Sequence, residues 1–316
     1  MPRNRCTSIT RDILPPIASP LPVPPIATCE RLVSLGTTPP AKTTDSSPRF
    51  PGVLSALTLA ILPRRNLVLT IATIGLITAL AWAYLIHLDR RMSTDMEYDK
   101  AMAAMGMTVH IAWTAGDALF AIGMWVVMMV GMMAPAPSPV LMLFAAAQVK
   151  RDPGRATLSV VVFAVGYAAV WIGFSVGIVF VQWILQRTAL LTNAMVAADP
   201  RIAGTILIFG GIYQLTPWKN RCLVHCRSPL GFLMTNWRDG RFGAFRMGLR
   251  HGIYCLGCCW ALMGILFVVG VMNLVWVAAL TGLVMLEKLA PVGAIIARVT
   301  GAAMIAVGVI EIVLMR

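Results

Sequence analysis

The sequence predicts an all-α protein, a polytopic transmembrane helix bundle of about seven spans with a disordered N-terminal tail. Three observations lead there. Of 316 residues, 58% are hydrophobic and 12% charged, with a mean hydropathy of +0.79. A soluble domain carries about 25% charged residues. Several runs of about 17 to 30 residues are almost free of charge, which is the length a helix needs to cross about 30 Å of hydrocarbon. The net charge of +13 resides in the segments between those runs, as the positive-inside rule expects. That placement argues for a lipid bilayer as partner and against nucleic acid.

Residues 1–63 hold 12 of the 20 prolines, including Pro15-Pro16, Pro24-Pro25 and Pro39-Pro40. Proline removes a backbone donor and blocks helix continuation, so the segment reads as a proline-rich, disordered cytoplasmic tail. No apolar h-region precedes a small-residue cleavage site, so it does not resemble a secretory signal. Cys6 and Cys29 within it carry no evident role. Residues 64–316 form the second domain, the transmembrane helical metal-binding part.

The first span is expected at about 67–88, after Arg64-Arg65. A polar loop at 89–117 follows, with Asp89, Asp95, Glu97, Asp99 and Asp117. The second span, about 118–147, contains Pro135, Pro137 and Pro139 and should break near its middle. The third is about 156–186. Asp199-Pro200 opens a short fourth span, about 200–216, with proline in the first helical turn. A basic loop at 217–246 precedes the fifth, sixth and seventh spans, at about 247–271, 273–288 and 292–315.

Lysine and arginine set the orientation. The tail through Arg65 carries eight, and Lys150, Arg151 and Arg155 cluster in the second loop. The fourth loop holds Lys219, Arg221, Arg227, Arg238, Arg241 and Arg246. The first loop is net acidic, and the third has only Arg187 and Arg201. The even loops and the N-terminus therefore belong in the cytoplasm, with the chain in an inner (plasma) membrane.

Five of the seven cysteines and two of the four histidines fall within 38 residues. Cys222-Leu-Val-His225-Cys226 lies in the basic loop. On a helix its cysteines, four apart, share a face and can clasp one ion. Arg227-Ser228-Pro229 would end such a helix, and Arg221 and Arg227 should lower the thiol pKa values. In the fifth span His251, Cys255, Cys258 and Cys259 make one helical stripe. His251 and Cys259 are about 12 Å apart along a regular helix axis, so one ion cannot reach both. Workable sites use His251 with Cys255, or Cys255 with Cys258 or Cys259, completed by Cys222 and Cys226. Polar ligating groups are costly in hydrocarbon and by default mark function. The plainer reading is that these cysteines are small packing residues. A haem attachment is disfavoured, because Cys259 stands where a Cys-x-x-Cys-His run needs histidine.

Eleven of the twenty methionines lie between residues 92 and 142. Met124, Met128 and Met132 recur at helical spacing in the second span, beside Met129 and Met133. Met92, Met96, Met102, Met105, Met107 and His110 are in the first loop. Thioethers are soft, uncharged ligands suited to Cu(I), although such a stripe more often packs a core. Glu287-Lys288 ends the sixth span, either as a snorkelling ion pair or as a carboxylate in a cation path. No Walker, Rossmann, zincin or nucleophile-elbow pattern is present, so no ATP-driven machinery is visible.

The leading expectation is binding, and transport or delivery, of a soft transition metal through Cys222, His225, Cys226, His251, Cys255, Cys258 and Cys259. Met124, Met128 and Met132 would form an outer relay. Copper fits thiolate and thioether together, and zinc suits Cys/His sites as well. A metal-donor or acceptor protein is the expected partner. The alternative is a membrane thiol-disulfide oxidoreductase using the Cys255/Cys258 pair, and a third is a structural subunit whose cysteines only pack.

The chain resembles a family of uncharacterised bacterial proteins, described as predicted metal-binding integral membrane proteins. The likeness rests on Met124-Trp-Val-Val-Met-Met-Val-Gly-Met-Met-Ala-Pro135, Tyr213-Gln-Leu-Thr-Pro-Trp-Lys219 and Cys222-Leu-Val-His-Cys-Arg-Ser-Pro-Leu230. It continues through Arg246 to Met263, Gly270-Val-Met-Asn273 and Glu287-Lys288. It covers roughly residues 65–316, with Gly131 standing where alanine is more usual. The resemblance implies a membrane location and metal binding, and it assigns no reaction.

Overall fold

The computed structural model describes residues 64–104, 113–191, 196–197, 199–271 and 273–314. The expected tail, and with it Cys6 and Cys29, lies outside the described residues, as do Met105, Met107 and His110. The elements are α1 (Arg64–Ala104), α2 (Ala115–Met133), α3 (Ser138–Arg151), α4 (Ala156–Arg187), α5 (Pro200–Leu215) and α6 (Pro217–Arg227). They continue with α7 (Pro229–Asn236), α8 (Gly240–Gly264), α9 (Leu266–Val269), α10 (Leu274–Leu289) and α11 (Gly293–Leu314). There is no strand among the described residues. Leu191 and Ala197 form an isolated bridge.

Five stretches are long and apolar enough to cross a membrane: Leu67–Arg91, Ala115–Met133, Ala156–Arg187, Gly240–Val269 and Gly293–Leu314. The count of seven is therefore corrected. At 1.5 Å per residue, the 16-residue helices α5 and α10 reach about 24 Å, short of the hydrocarbon thickness. Large aliphatic and aromatic side chains cover the outside of the bundle, among them Leu80, Val161, Phe180, Val275 and Val299. Water would penalise such a surface; lipid does not.

The expected boundaries shift at two places. The polar segment after residue 88 continues α1 as helix to Ala104. Met, Glu, Lys and Ala are strong helix formers, and no proline or glycine stops them. The basic loop contains two helices, α6 and α7, and α8 starts at Gly240, seven residues before the expected span. The break at the proline cluster occurs as expected. α2 ends at Met133, Ala136 N bonds Met133 O at 3.2 Å, and α3 resumes at Ser138.

Glycines set how closely the helices approach. A Cβ on Gly204 would lie 2.6 Å from Gly308 O, and one on Gly211 2.6 Å from Gly301 O. α5 and α11 thus touch backbone to backbone, a small-residue interface of the kind that membranes favour. Between α4 and α8, a Cβ on Gly248 would collide with Phe163 O and one on Gly166 with Phe245 O. This second contact fixes the rotation of α8 and turns its cysteines inward. At the base, Arg151 pairs with Asp239 at 2.7 Å, and the Arg227 guanidinium donates to Ala290 O and Pro291 O at 2.7 and 2.8 Å.

Candidate metal centre

Helix α6 begins where its sequence dictates. Thr216 caps it by accepting from Lys219 N, Pro217 occupies the first turn, and Ser228-Pro229 ends it. Cys222 and Cys226 are one turn apart and both pack against the core that holds Cys255, Cys258 and Cys259 of α8. Gly257 makes room for this, since a Cβ there would lie 2.8 Å from Cys222 Sγ. The Tyr213 hydroxyl donates to Gly257 O at 2.5 Å and ties α5 to the same turn.

Across this contact the Cys226 and Cys258 sulfurs stand 3.9 Å apart. With metal–thiolate bonds of about 2.3 Å, two sulfurs on one ion can be separated by at most about 4.6 Å. The pair therefore matches a shared ion. The Cys258 and Cys259 thiols donate to Cys255 O at 3.1 and 2.9 Å. All five described cysteines are free thiols.

No group of three or more His, Cys, Asp or Glu side chains is disposed to hold one metal among the described residues. The expected Cys/His cluster is not assembled as such, and the Cys226–Cys258 approach is what lies within the span of one ion. His225 Nδ1 donates to Arg221 O at 2.8 Å while its ring stacks on Tyr254, centroids 4.4 Å apart. His251 is buried among Phe163, Tyr167 and Phe232, and its Nδ1 has no hydrogen-bond partner. Met124, Met128 and Met132 are buried in the core cluster with Leu85, Leu88 and Val271.

Two expectations are corrected. The arginines beside the α6 cysteines do not activate them. Arg227 is committed to the carbonyls of Ala290 and Pro291. Burial, then the neighbouring Cys258, pushes the Cys222 thiol above its ordinary pKa. Contacts with Cys255 and Cys258, then burial, push Cys226 well above it. Glu287 and Lys288, in turn, are not a snorkelling pair. Both are buried, and each binds elsewhere.

Glu287 Oε2 receives Lys219 Nζ at 2.6 Å, and Glu287 Oε1 receives Gln214 Nε2 at 3.1 Å. Lys219 also donates to Gln214 Oε1. This closed triad locks α5, α6 and α10 around the thiols. Lys288 Nζ instead lies 3.0 Å from Cys255 Sγ and 3.5 Å from Met133 Sδ. The Tyr167 hydroxyl donates to Met133 O at 3.0 Å and lies 3.1 Å from Cys255 Sγ. Sequence reasoning missed Tyr167, and it gave Lys219 and Gln214 no role at the site. Nothing local distinguishes Lys219 from the solvated cations of a basic loop.

A family model described as copper chaperone, PpoB2, matches residues 122–311. The matched segment takes in both cysteine motifs, Met133, Tyr167, Lys219 and the Glu287-Lys288 pair. No curated protein and no solved structure matches the chain.

Proposed function

We propose, for a chain that belongs to the PpoB2 copper-chaperone family, that Cys226 and Cys258 clasp one Cu(I) ion for delivery to a partner protein at the membrane. The observation that carries this reading is the 3.9 Å approach of two sulfurs from different helices. Cu(I) is soft and is selected by thiolate and thioether ligands. Cys222 and Cys259 flank the clasp as exchange sulfurs. His251, with its orphaned Nδ1, and Met133 are reserve donors, while His225 and the Met124, Met128 and Met132 stripe contribute structure or relay at longer range.

The protein sits in the bacterial inner membrane with its N-terminus in the cytoplasm. Support comes from the joined connections that carry Arg151, Arg227 and Asp239, which gather the basic residues at one end. The clasp then opens toward the cytoplasmic side, where an acceptor can reach α6.

Metal analysis of the purified full chain, loaded anaerobically with Cu(I), tests the proposal. About one copper per chain is expected, as one clasp requires. Cys226→Ser and Cys258→Ser each abolish stoichiometric binding, while His225→Ala retains it. A folded wild-type protein that takes up no copper overturns the reading.

A further inference from the structure

We infer that Arg238, Arg246 and Arg250 form a site for a phosphate group, and that this group is the headgroup of an anionic phospholipid held at the basic end of α8. The inference goes beyond the copper reading and involves none of the thiols.

The three arginines line one cavity of about 260 Å³, with Met247, Leu249 and Ile253 as the apolar part of its wall. The local sequence explains how they converge. Trp237, Arg238 and Asp239 connect α7 to α8, and Gly240 takes φ +80° at the turn, a conformation open to glycine without strain. Gly243 then lets the connection fold back onto the helix, since a Cβ there would lie 2.7 Å from Arg238 O. Arg246 and Arg250, four residues apart, share one face of α8.

Like charges at that spacing repel, and Arg238 adds a third to the same cavity. Among the described residues none of the three has a carboxylate partner. Asp239, next to Arg238 in sequence, is engaged by Arg151 at 2.7 Å and by Trp237 Nε1 at 2.9 Å. Arg246 rests over the Phe242 ring, 5.6 Å from its centroid. Stacking of that kind leaves the in-plane donors of a guanidinium available. A phosphate completes such a cavity, because guanidinium groups bind its oxygens with two parallel hydrogen bonds.

The helix face beyond the arginines points to a lipid as the source of that phosphate. Ile253 and Trp260 continue the stripe of Arg246 and Arg250, and they are 55% and 47% exposed. They belong to Gly240–Val269, a stretch long and apolar enough to cross a membrane. A phospholipid sets its headgroup on the arginines and an acyl chain along Ile253 and Trp260, whereas a free phosphate uses the arginines alone. Basic pockets at the ends of membrane helices recognise anionic headgroups in this way.

The test uses the full chain purified in neutral detergent. Phosphatidylglycerol, phosphatidylcholine and inorganic phosphate are added separately, with bound lipid read by native mass spectrometry and stability by Tm. Only phosphatidylglycerol is expected to be retained and to raise Tm. Arg246→Gln/Arg250→Gln should weaken its binding on the order of 100-fold, about 10-fold for each charged hydrogen-bond donor group removed. Without lipid the double variant should melt no lower than wild type, because a repulsion has been relieved. Arg241→Gln makes the same charge change outside the cavity and should cost no more than about 5-fold, the general attraction to an anionic surface.

Equal retention of the two lipids, or phosphatidylglycerol binding that survives in the double variant, overturns the site. An Arg241→Gln loss as large as that of the cavity variants overturns it as well. A rise in Tm with inorganic phosphate equal to that with phosphatidylglycerol assigns the cavity to the free ion and overturns the lipid. Should the double variant not fold, Arg238→Gln in the connecting turn decides, with a loss of about 10-fold expected and an unchanged affinity refuting the inference.

Discussion

Lys219→Met cuts the ion pair that seats α6, and its cost follows from geometry. The Nζ–Oε2 distance is 2.6 Å, and both side chains are almost fully buried. At an effective dielectric of about 20, the pair's Coulomb energy is about 6 kcal/mol. Desolvation of both ions offsets much of that gain, so the pair itself adds little net stability. Removing one partner is different. Glu287 keeps only Gln214 Nε2 and becomes an uncompensated buried carboxylate, a loss of about 3–5 kcal/mol. For a bundle of this size each kcal/mol moves Tm by about 2–4 °C, so thermal melting in detergent should show a fall of roughly 6–20 °C. The double variant Lys219→Met/Glu287→Met removes both charges and should recover most of the loss. Because α6 carries Cys226, the single variant should also lose copper with Cys258 intact. A Lys219→Met protein as stable as wild type would refute the reasoning. A double variant no better than the single would refute it too.

Three further outcomes follow from the same contacts. Gly248→Ala places a methyl group into Phe163 O and should separate α4 from α8, with a loss of more than about 2 kcal/mol, read as a lowered Tm. Gly257→Ala meets only the Cys222 side chain, its Sγ at 2.8 Å; the bundle should stay folded while maleimide labelling of Cys222 speeds up. With pH, the raised Cys222 thiol favours the protonated folded state. The native state therefore binds more protons than the unfolded chain above about pH 9, and stability falls as pH rises through that range. Copper affinity moves the opposite way, since ligation expels protons. Below the thiol pKa values it should rise about 100-fold per pH unit for two ligating thiols, checked by chelator competition at several pH values.

Much of the fold was legible because a bilayer imposes a one-dimensional constraint. Charge-free runs must become helices, and prolines must break them, as at Pro135–Pro139. One cap was equally readable: Asp199 begins α5 at the position its side chain favours. The span count was less secure. Hydropathy does not measure reach, and α5 and α10 are apolar but short. The polar continuation of α1 was hidden for a related reason, because helix propensity and hydrophobicity are separate properties.

At the site, the sequence by itself determined which chemistry is present: thiols and imidazoles at helical spacing, concentrated in two segments on either side of a helix break. It also determined that α6 would end at Ser228-Pro229. Only the tertiary structure decided which sulfurs meet, because Cys226 and Cys258 are 32 residues apart and their approach depends on Gly257 and on the Lys219–Glu287 lock. It also separated two adjacent residues, Glu287 and Lys288, into different roles. Neighbours on a helix point about 100° apart, and each bonds to whatever its own side of the bundle supplies.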